Sequence, residues 1–236
     1  MALVNVIHDI GGSFGYLLRP GSRSRLGIAR RVGSARGSTG AALTWLLVEG
    51  GHGELQVNGE STVVDGRVDV FDGSGWSALI PPKTRFAVRG ALRYTLTWRG
   101  WTRDAEVRLM KPDEVTDEQP VSAVERARVR TYLPAGPLVC GETIVEPGGW
   151  SPWPPHEHEH EEVHLFRFDP SDGFGVQFAD SRLGVRRGDV VGDGDVRRIK
   201  AGPHPVVAAP DSTMCCLWVL AGEPDRDPVT ANASLR

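Results

Sequence analysis

His156, His158, His160 and His164 place four of the chain's seven histidines within nine residues. The segment reads Pro154-Pro155-His156-Glu157-His158-Glu159-His160-Glu161-Glu162-Val163-His164-Leu165-Phe166. In an extended chain, residues two apart point to the same face, so His156 and His158 present their rings together with Cα atoms about 6.6 Å apart. Two such imidazoles can converge on one metal ion at about 2.0–2.1 Å each. Full extension would carry Glu162 about 13 Å past His158, too far to share that ion. Glu162 joins only if a turn over 159–161 folds the chain back, with Val163-His164-Leu165-Phe166 as the returning strand. His204, in Gly202-Pro203-His204-Pro205-Val206, follows the turn signal Gly192-Asp193-Gly194-Asp195 and is a further donor. The competing reading is a solvated acidic hairpin that only scavenges metal, with His160 exposed at its turn.

The rest of the 236-residue chain limits what can surround these donors. With 29 glycines, 17 prolines and no long helical periodicity, it reads as many short strands separated by turns. That is an all-β pattern, a sandwich or barrel. In the first half, strand-like runs cover 43–48, 53–57, 61–64, 67–71, 76–80, 85–88 and 93–98. Leu55 and Val57 alternate with Glu54 and Gln56, and Asn58-Gly59 is a hairpin signal. Gly33–Gly40 reads as a loop. Met110–Val124 is polar with two prolines and reads as a connector. Strand-like runs then resume at 129–133, 139–145, 163–168, 175–178, 183–187, 189–191, 196–199, 206–208 and 214–220. The tail from Gly222 is polar and reads as an arm. The pattern predicts two domains, 1–115 and 116–236, with the histidine cluster in the second.

Several function classes are disfavoured. The formal net charge is −3, which gives no basis for binding nucleic acid or an anionic membrane. No apolar run reaches the roughly 18 residues of a membrane span. Met1-Ala2-Leu3-Val4-Asn5-Val6 lacks a basic segment followed by an apolar one, so no secretory signal is expected. Three cysteines, two of them adjacent (Cys140, Cys215 and Cys216), argue against a disulfide framework and for a reducing cytoplasm.

His-x-His, three residues, Glu and a distant His in a β-rich setting resembles the two-part motif of cupins. Gly194, five residues, Lys200-Ala201-Gly202 and His204 resemble its second part, with Lys200 where proline is usual. A closer resemblance runs through Leu133-Pro134, Val139–Ser151, Pro154–His158, Glu161-Glu162-Val163, Gly173-Phe174 with Gln177, Gly192–Val196, Gly202–Pro210 and Leu217–Gly222. These are similar to the 5-deoxy-glucuronate isomerase family of inositol catabolism, which shares its plan with the 4-deoxy-5-threo-hexosulose-uronate ketol-isomerases. The resemblance implies a bicupin: two tandem jelly-roll (double-stranded β-helix) barrels, with a divalent metal in the second. It carries the ligand roles onto His156, His158, Glu162 and His204. The first barrel has Ile80-Pro81-Pro82-Lys83-Thr84 where a second motif would fall, and no histidine there, so it is expected to hold no metal. The chain departs from the family at His164 and Leu165, at Cys215-Cys216 and Trp218, and at Pro203, where tyrosines are usual. The loop between His158 and Glu161 is also shorter.

Three imidazoles and a carboxylate would hold Zn²⁺, Fe²⁺, Mn²⁺ or Ni²⁺ with one or two positions open. Such an ion can act as a Lewis acid on the carbonyl and adjacent hydroxyl of an open-chain sugar acid. The implied activity is aldose–ketose isomerisation of a deoxy-uronate. Proton transfer falls to Glu142 or His164, and substrate contact to Gln177 and Arg128. The competing classes are an Fe(II) cupin dioxygenase and a non-catalytic metal- or sugar-binding cupin. The expected partner is a small sugar acid, and exposed barrel edges allow a homo-oligomer.

Overall fold

The computed structural model describes residues 16–18, 25–119, 124–158, 160–180, 186–200 and 202–221. The chain forms two compact units, Met1–Val115 and Thr116–Arg236. Among the described residues no helix is long and apolar enough to cross a membrane. The tail from Gly222 lies outside the described residues.

The first unit contains β1 (Tyr16–Leu18), β2 (Leu26–Val32), β3 (Ala35–Ser38), β4 (Ala42–Val57), β5 (Glu60–Val64), β6 (Ser77–Ile80), β7 (Arg85–Gly100) and β8 (Arg108–Met110). They form one sheet in the order β1-β2-β7-β4-β6-β8, with β3 added to β7 and β5 to β4. The runs expected at 43–48 and 53–57 are one strand, β4, and those at 85–88 and 93–98 are one strand, β7. Gly50 and Gly51 do not break β4. They lie at a bulge in its ladder with β7, where a chain without side chains can bend and stay paired. Asn58 and Gly59 have φ of 51° and 89°, the positive values that a two-residue hairpin needs, and they join β4 to β5. Leu46, Val48, Ile80, Tyr94, Leu96 and Trp98 are the centre of this unit's core.

Two expectations fail here for identifiable reasons. The run 67–71 is not a strand. The buried Arg67 guanidinium donates to the carbonyls of Val48 (3.0 Å) and Gly73 (2.9 Å), and Val70–Asp72 close a 3-10 turn. Gly33–Gly40 is not all loop, because Ala35–Ser38 pairs along β7.

The second unit contains β9 (Thr116–Glu118), β10 (Ala127–Leu133), β11 (Val139–Val145), β12 (Trp150–Ser151), β13 (Glu162–Asp169), β14 (Phe174–Asp180), β15 (Arg186–Gly192), β16 (Val196–Ile199), β17 (Val206–Ala208) and β18 (Thr213–Leu220). One sheet runs β16-β13-β18-β11-β10-β9 and a second runs β12-β17-β14-β15. All described pairings are antiparallel. Two facing antiparallel sheets are the jelly-roll solution to strand edges. Part of the expected connector, Thr116–Glu118, is thus an edge strand on β10, and of the expected strand 183–187, residues 183–185 lie outside the described residues.

Phe166, Phe168, Val191, Val206, Met214 and Cys216 form the core of the second unit. The three cysteines are buried and none forms a disulfide, which suits small apolar side chains. Register then decides which side chains share a wall. Glu162 pairs with Leu220, His164 with Trp218 and Phe166 with Cys216, while Cys216 pairs with Thr143 and Thr143 with Val129. These positions face inward, and their sequence neighbours face the other way.

Gly141 marks one close approach in that wall. It pairs with Trp218, and a β-carbon there would run into the indole and come 2.5 Å from the Arg130 carbonyl oxygen. Gly141→Ala should therefore cost about 1–3 kcal/mol by overpacking. Urea unfolding should show a lower midpoint at an unchanged slope, and an unchanged midpoint would contradict this packing.

Candidate metal centre

The chain enters the site from three places. His156 and His158 lie on the segment between β12 and β13. Glu162 is the first residue of β13 and His164 follows two residues later on the same face. His204 lies two residues before β17. Glu159, within the expected turn, is outside the described residues, but the chain does return, and it brings Glu162 back beside His158. A solvated hairpin is excluded: His158, Glu162, His164 and His204 are all buried.

The Glu162 carboxylate is the meeting point. His158 Nε2 lies 2.8 Å and His204 Nε2 2.9 Å from Glu162 Oε2, and His164 Nε2 lies 3.1 Å from Oε1. The ligating atoms of His156, His158 and His204 lie within 4.8 Å of one another, as do those of Glu162, His164 and His204. The His156 ring centroid is 5.1 Å from that of His204 and 5.8 Å from that of His158.

Three of the rings are anchored from behind. His158 Nδ1–H donates to the His160 carbonyl (3.0 Å), and His204 Nδ1–H to the Gly202 carbonyl (2.7 Å). His164 Nδ1–H donates to Gln177 Oε1 at 2.6 Å. The Gln177 amide is oriented in turn by donation to the His204 carbonyl at 2.7 Å. Where such a ring is neutral, its Nδ1–H leaves the Nε2 lone pair aimed at an anion. Lone pairs facing a carboxylate repel unless a cation lies between them. A proton on a ring meets that need in part, and a metal ion meets it for the whole set.

The separations suit an ion. Two donors at about 2.1 Å from one metal and 90° apart lie about 3.0 Å from each other, close to the His158 and His204 contacts with Glu162. The donor set therefore fits a divalent metal held by His156, His158, His204 and Glu162 Oε2. His164, which reaches only Oε1, braces the carboxylate from its far side.

Burial and the mutual charges of the cluster shift several of its groups. Burial by itself would raise the Glu162 carboxyl, but the charge of His164 and hydrogen bonds from His158, His164 and His204 outweigh it and hold it well below the usual carboxylate range. Burial opposes the charged form of His204, yet its hydrogen bond and charge interaction with Glu162 raise it overall. Burial, helped by the nearby His204, lowers His156 to about 4, leaving it a neutral donor at pH 7. Burial pushes the Cys216 thiol well above its ordinary range, so it offers no thiolate to a metal.

The cluster opens on a cavity of about 240 Å³. Its walls include Val129, Val206, Cys216, Trp218 and Leu220, with Glu125, Thr143 and Ser151 as polar additions. Trp218 Nε1–H donates to Thr143 Oγ1 at 3.1 Å. Trp150 stacks on Phe178 with ring centroids 5.3 Å apart, packing near β12 rather than lining the cavity.

Three expected roles need correction. Glu142 does not reach the cavity. It occupies the opposite face of β11 from Thr143, accepts a hydrogen bond from Tyr132 (2.9 Å) and pairs with Arg130 (3.6 Å). Arg128 likewise lies on the face of β10 away from Val129, half-exposed and paired with Asp117 at 3.2 Å. Gln177 is near the cluster but does not line the cavity. Its amide is committed to His164 and to the chain at His204, so it positions ligands rather than substrate. His164, the other group assigned to proton transfer, does line the cavity, with one nitrogen on Gln177 and the other facing Glu162. Sequence reasoning missed Glu125, which lies outside the resembling stretches, and singled out neither Thr143 nor Ser151 within Val139–Ser151.

Replacing His156 or His204 by Ala should reduce bound metal from about one per chain to below about a tenth, with the fold retained, because the apolar core rather than the ion stabilises a unit of this size. Metal analysis paired with thermal unfolding checks this, and unfolding of either variant at room temperature would contradict it. Gln177→Leu should keep all four ligands yet weaken metal affinity about 10–100-fold by freeing His164 and the His204 segment. Competition with a chelator measures that, and an unchanged affinity would contradict the bracing role.

Comparison with known proteins agrees with this architecture. The matched stretch is 33% identical over 130 residues to the 5-deoxy-glucuronate isomerase of Geobacillus thermodenitrificans, covering 49% of this chain and 47% of that protein. The match thus spans about half the length of that relative. An IolB-like protein from Salmonella typhimurium LT2 superposes with a TM-score of 0.85 at 20% identity, over 97% of both chains. A cupin 2 conserved barrel domain protein from Leptotrichia buccalis superposes with a TM-score of 0.52 at 12% identity, over 94% of this chain and 99% of the other. Both show the fold, and together with the sheets described above they make this an all-β bicupin. The KduI/IolB family model matches residues 33–234, and the chain belongs to that family.

Proposed function

We propose that this chain is a metal-dependent aldose–ketose isomerase acting on an open-chain deoxy-uronate sugar, of the 5-deoxy-glucuronate type found in inositol catabolism. The observation that carries the proposal is the buried set of imidazoles converging on Glu162 at one cavity, with three rings fixed through Nδ1. The name of the Geobacillus relative supports the same chemistry.

His156, His158, His204 and Glu162 would hold the ion. When bound it supplies Lewis acidity toward a carbonyl and the neighbouring hydroxyl, which lowers the barrier to removing the hydrogen between them. The chain's own residues do the rest. The Nδ1 anchors fix the rings before substrate arrives, so little reorganisation is left to the reaction. His164 keeps Glu162 oriented. Val129, Val206, Trp218 and Leu220 exclude water around the reacting carbons, which protects an enediolate from side reactions.

The described lining contains neither Arg nor Lys, so among these residues the ion is the cationic partner for an acidic substrate. His164, Cys216 and Trp218, three of the departures from the family pattern, are all in that lining. They alter the wall around the substrate while leaving the four ligands intact, so they should tune which sugar acid is preferred rather than whether the reaction proceeds.

The test is to incubate metal-loaded protein with 5-deoxy-glucuronate and follow the ketose by NMR. Conversion should be lost on chelation and restored by a divalent metal. Oxygen consumption in place of isomerisation would indicate the Fe(II) dioxygenase reading. No turnover of any sugar acid by fully loaded protein would indicate a binding module.

A further inference from the structure

We propose that Glu125 is the carboxylate that moves the proton between the two reacting carbons. The inference rests on the isomerase reading above and supplies the proton-transfer group that Glu142, on the outer face of β11, does not.

Elimination along the cavity wall leads to it. Isomerisation requires a group able to accept and return a proton, and among the described residues that line the cavity the candidates are few. The Glu162 carboxylate faces three imidazoles. His164 uses one nitrogen on Gln177 and turns the other to Glu162. His158 and His204 are anchored through Nδ1 and aimed at Glu162 through Nε2, and neutral His156 is a metal donor. The Cys216 thiol is held protonated by burial. Thr143 receives the Trp218 N–H, and the Ser151 hydroxyl donates to Glu125 Oε1 at 3.1 Å. Glu125 is the remaining carboxylate.

The surroundings of Glu125 suit the task. Its segment is tied on both sides. The Trp150 N–H donates to the Val124 carbonyl at 3.4 Å, and the Glu146 N–H donates to the Arg126 carbonyl at 2.9 Å. The side chain is half-buried, steered by Ser151 and by the backbone N–H of Trp153. Burial raises its carboxyl above the ordinary range, by more than these two hydrogen bonds lower it. A base matched more closely to neutral pH transfers protons in both directions more readily.

The step balances without a co-reactant. In the aldose-to-ketose direction, the C–H bond beside the aldehyde breaks and its proton goes to a Glu125 carboxylate oxygen. The freed electron pair forms a C=C bond, and the carbonyl π pair moves onto the carbonyl oxygen. Glu125 then returns the proton to the former aldehyde carbon. The hydroxyl proton on the second carbon passes to the first oxygen, which leaves the new carbonyl on the second carbon.

The experiment uses the full chain loaded with metal and 5-deoxy-glucuronate in D₂O. Wild type should place solvent deuterium on the carbon that gains hydrogen. Glu125→Gln should lose about 10²–10⁴-fold in kcat, with bound metal and calorimetric affinity for the substrate close to wild type. Glu125→Ala should recover part of the lost rate on adding formate, a small carboxylate that can enter the vacated space, and a purely structural role would show no such rescue. An active wild type together with Glu125→Gln within about threefold of its kcat would overturn the assignment and leave the isomerase reading standing. So would an Ala variant that folds, binds metal and fails to respond to formate. An inactive wild type with its metal in place would instead overturn the isomerase reading, and this assignment with it.

Discussion

Glu162 is a carboxylate buried to a depth where an unpaired charge would cost several kcal/mol. It stays ionised because imidazoles surround it, and those imidazoles hold their positions because each of three is pinned from behind by its Nδ1–H. Carbonyls of His160 and Gly202 and the amide of Gln177 therefore decide which nitrogen of each ring faces the centre. Gln177 adds a link that none of the ligands could supply. One end of its amide orients His164, and the other holds the chain at His204, so two parts of the centre separated by forty residues share one brace. Where the site sits, what it can bind and how the cavity is lined all follow from this arrangement.

The reaction proposed for this centre places different demands on different walls. One side is polar and preorganised, suited to an ion and to the oxygens of a substrate. The others are largely apolar, with Val129, Val206, Trp218 and Leu220 shielding the carbons. A low-dielectric surround strengthens electrostatic effects at the reacting atoms. Glu125 stands apart from the ligand set, supported by Ser151 rather than by the imidazoles. Such a division would let a base titrate and move protons without disturbing the ligands.

Much of this centre is legible in the sequence, and the reasons differ by residue. His156 and His158 are two apart, which places their rings on one face, while Glu162 and His204 are marked as ligands by the resemblance to the two-part cupin motif. Asn58-Gly59 is legible because both positions need positive φ. Glu142 and Arg128 are misplaced by one residue's phase. β11 is buried along nearly its whole length, so it shows no alternation to reveal which face looks inward. Only the ladder to β18, with Thr143 opposite Cys216, sets that phase. Glu125 follows a polar connector and has no periodicity around it, so nothing local marks it. β3 reads as loop because its Gly-, Arg- and Ser-containing sequence has little strand preference, and it is ordered by pairing along the long β7.

The most direct measurement is an anomalous difference map from crystals of the metal-loaded protein, recorded at the absorption edge of the bound ion. The account predicts one peak per chain in the second unit, about 2.0–2.2 Å from Nε2 of His158 and His204, from a ring nitrogen of His156 and from a Glu162 oxygen. A peak in the first unit, coordination by His158 or His204 through Nδ1, or a bond to the Cys216 sulfur would contradict it.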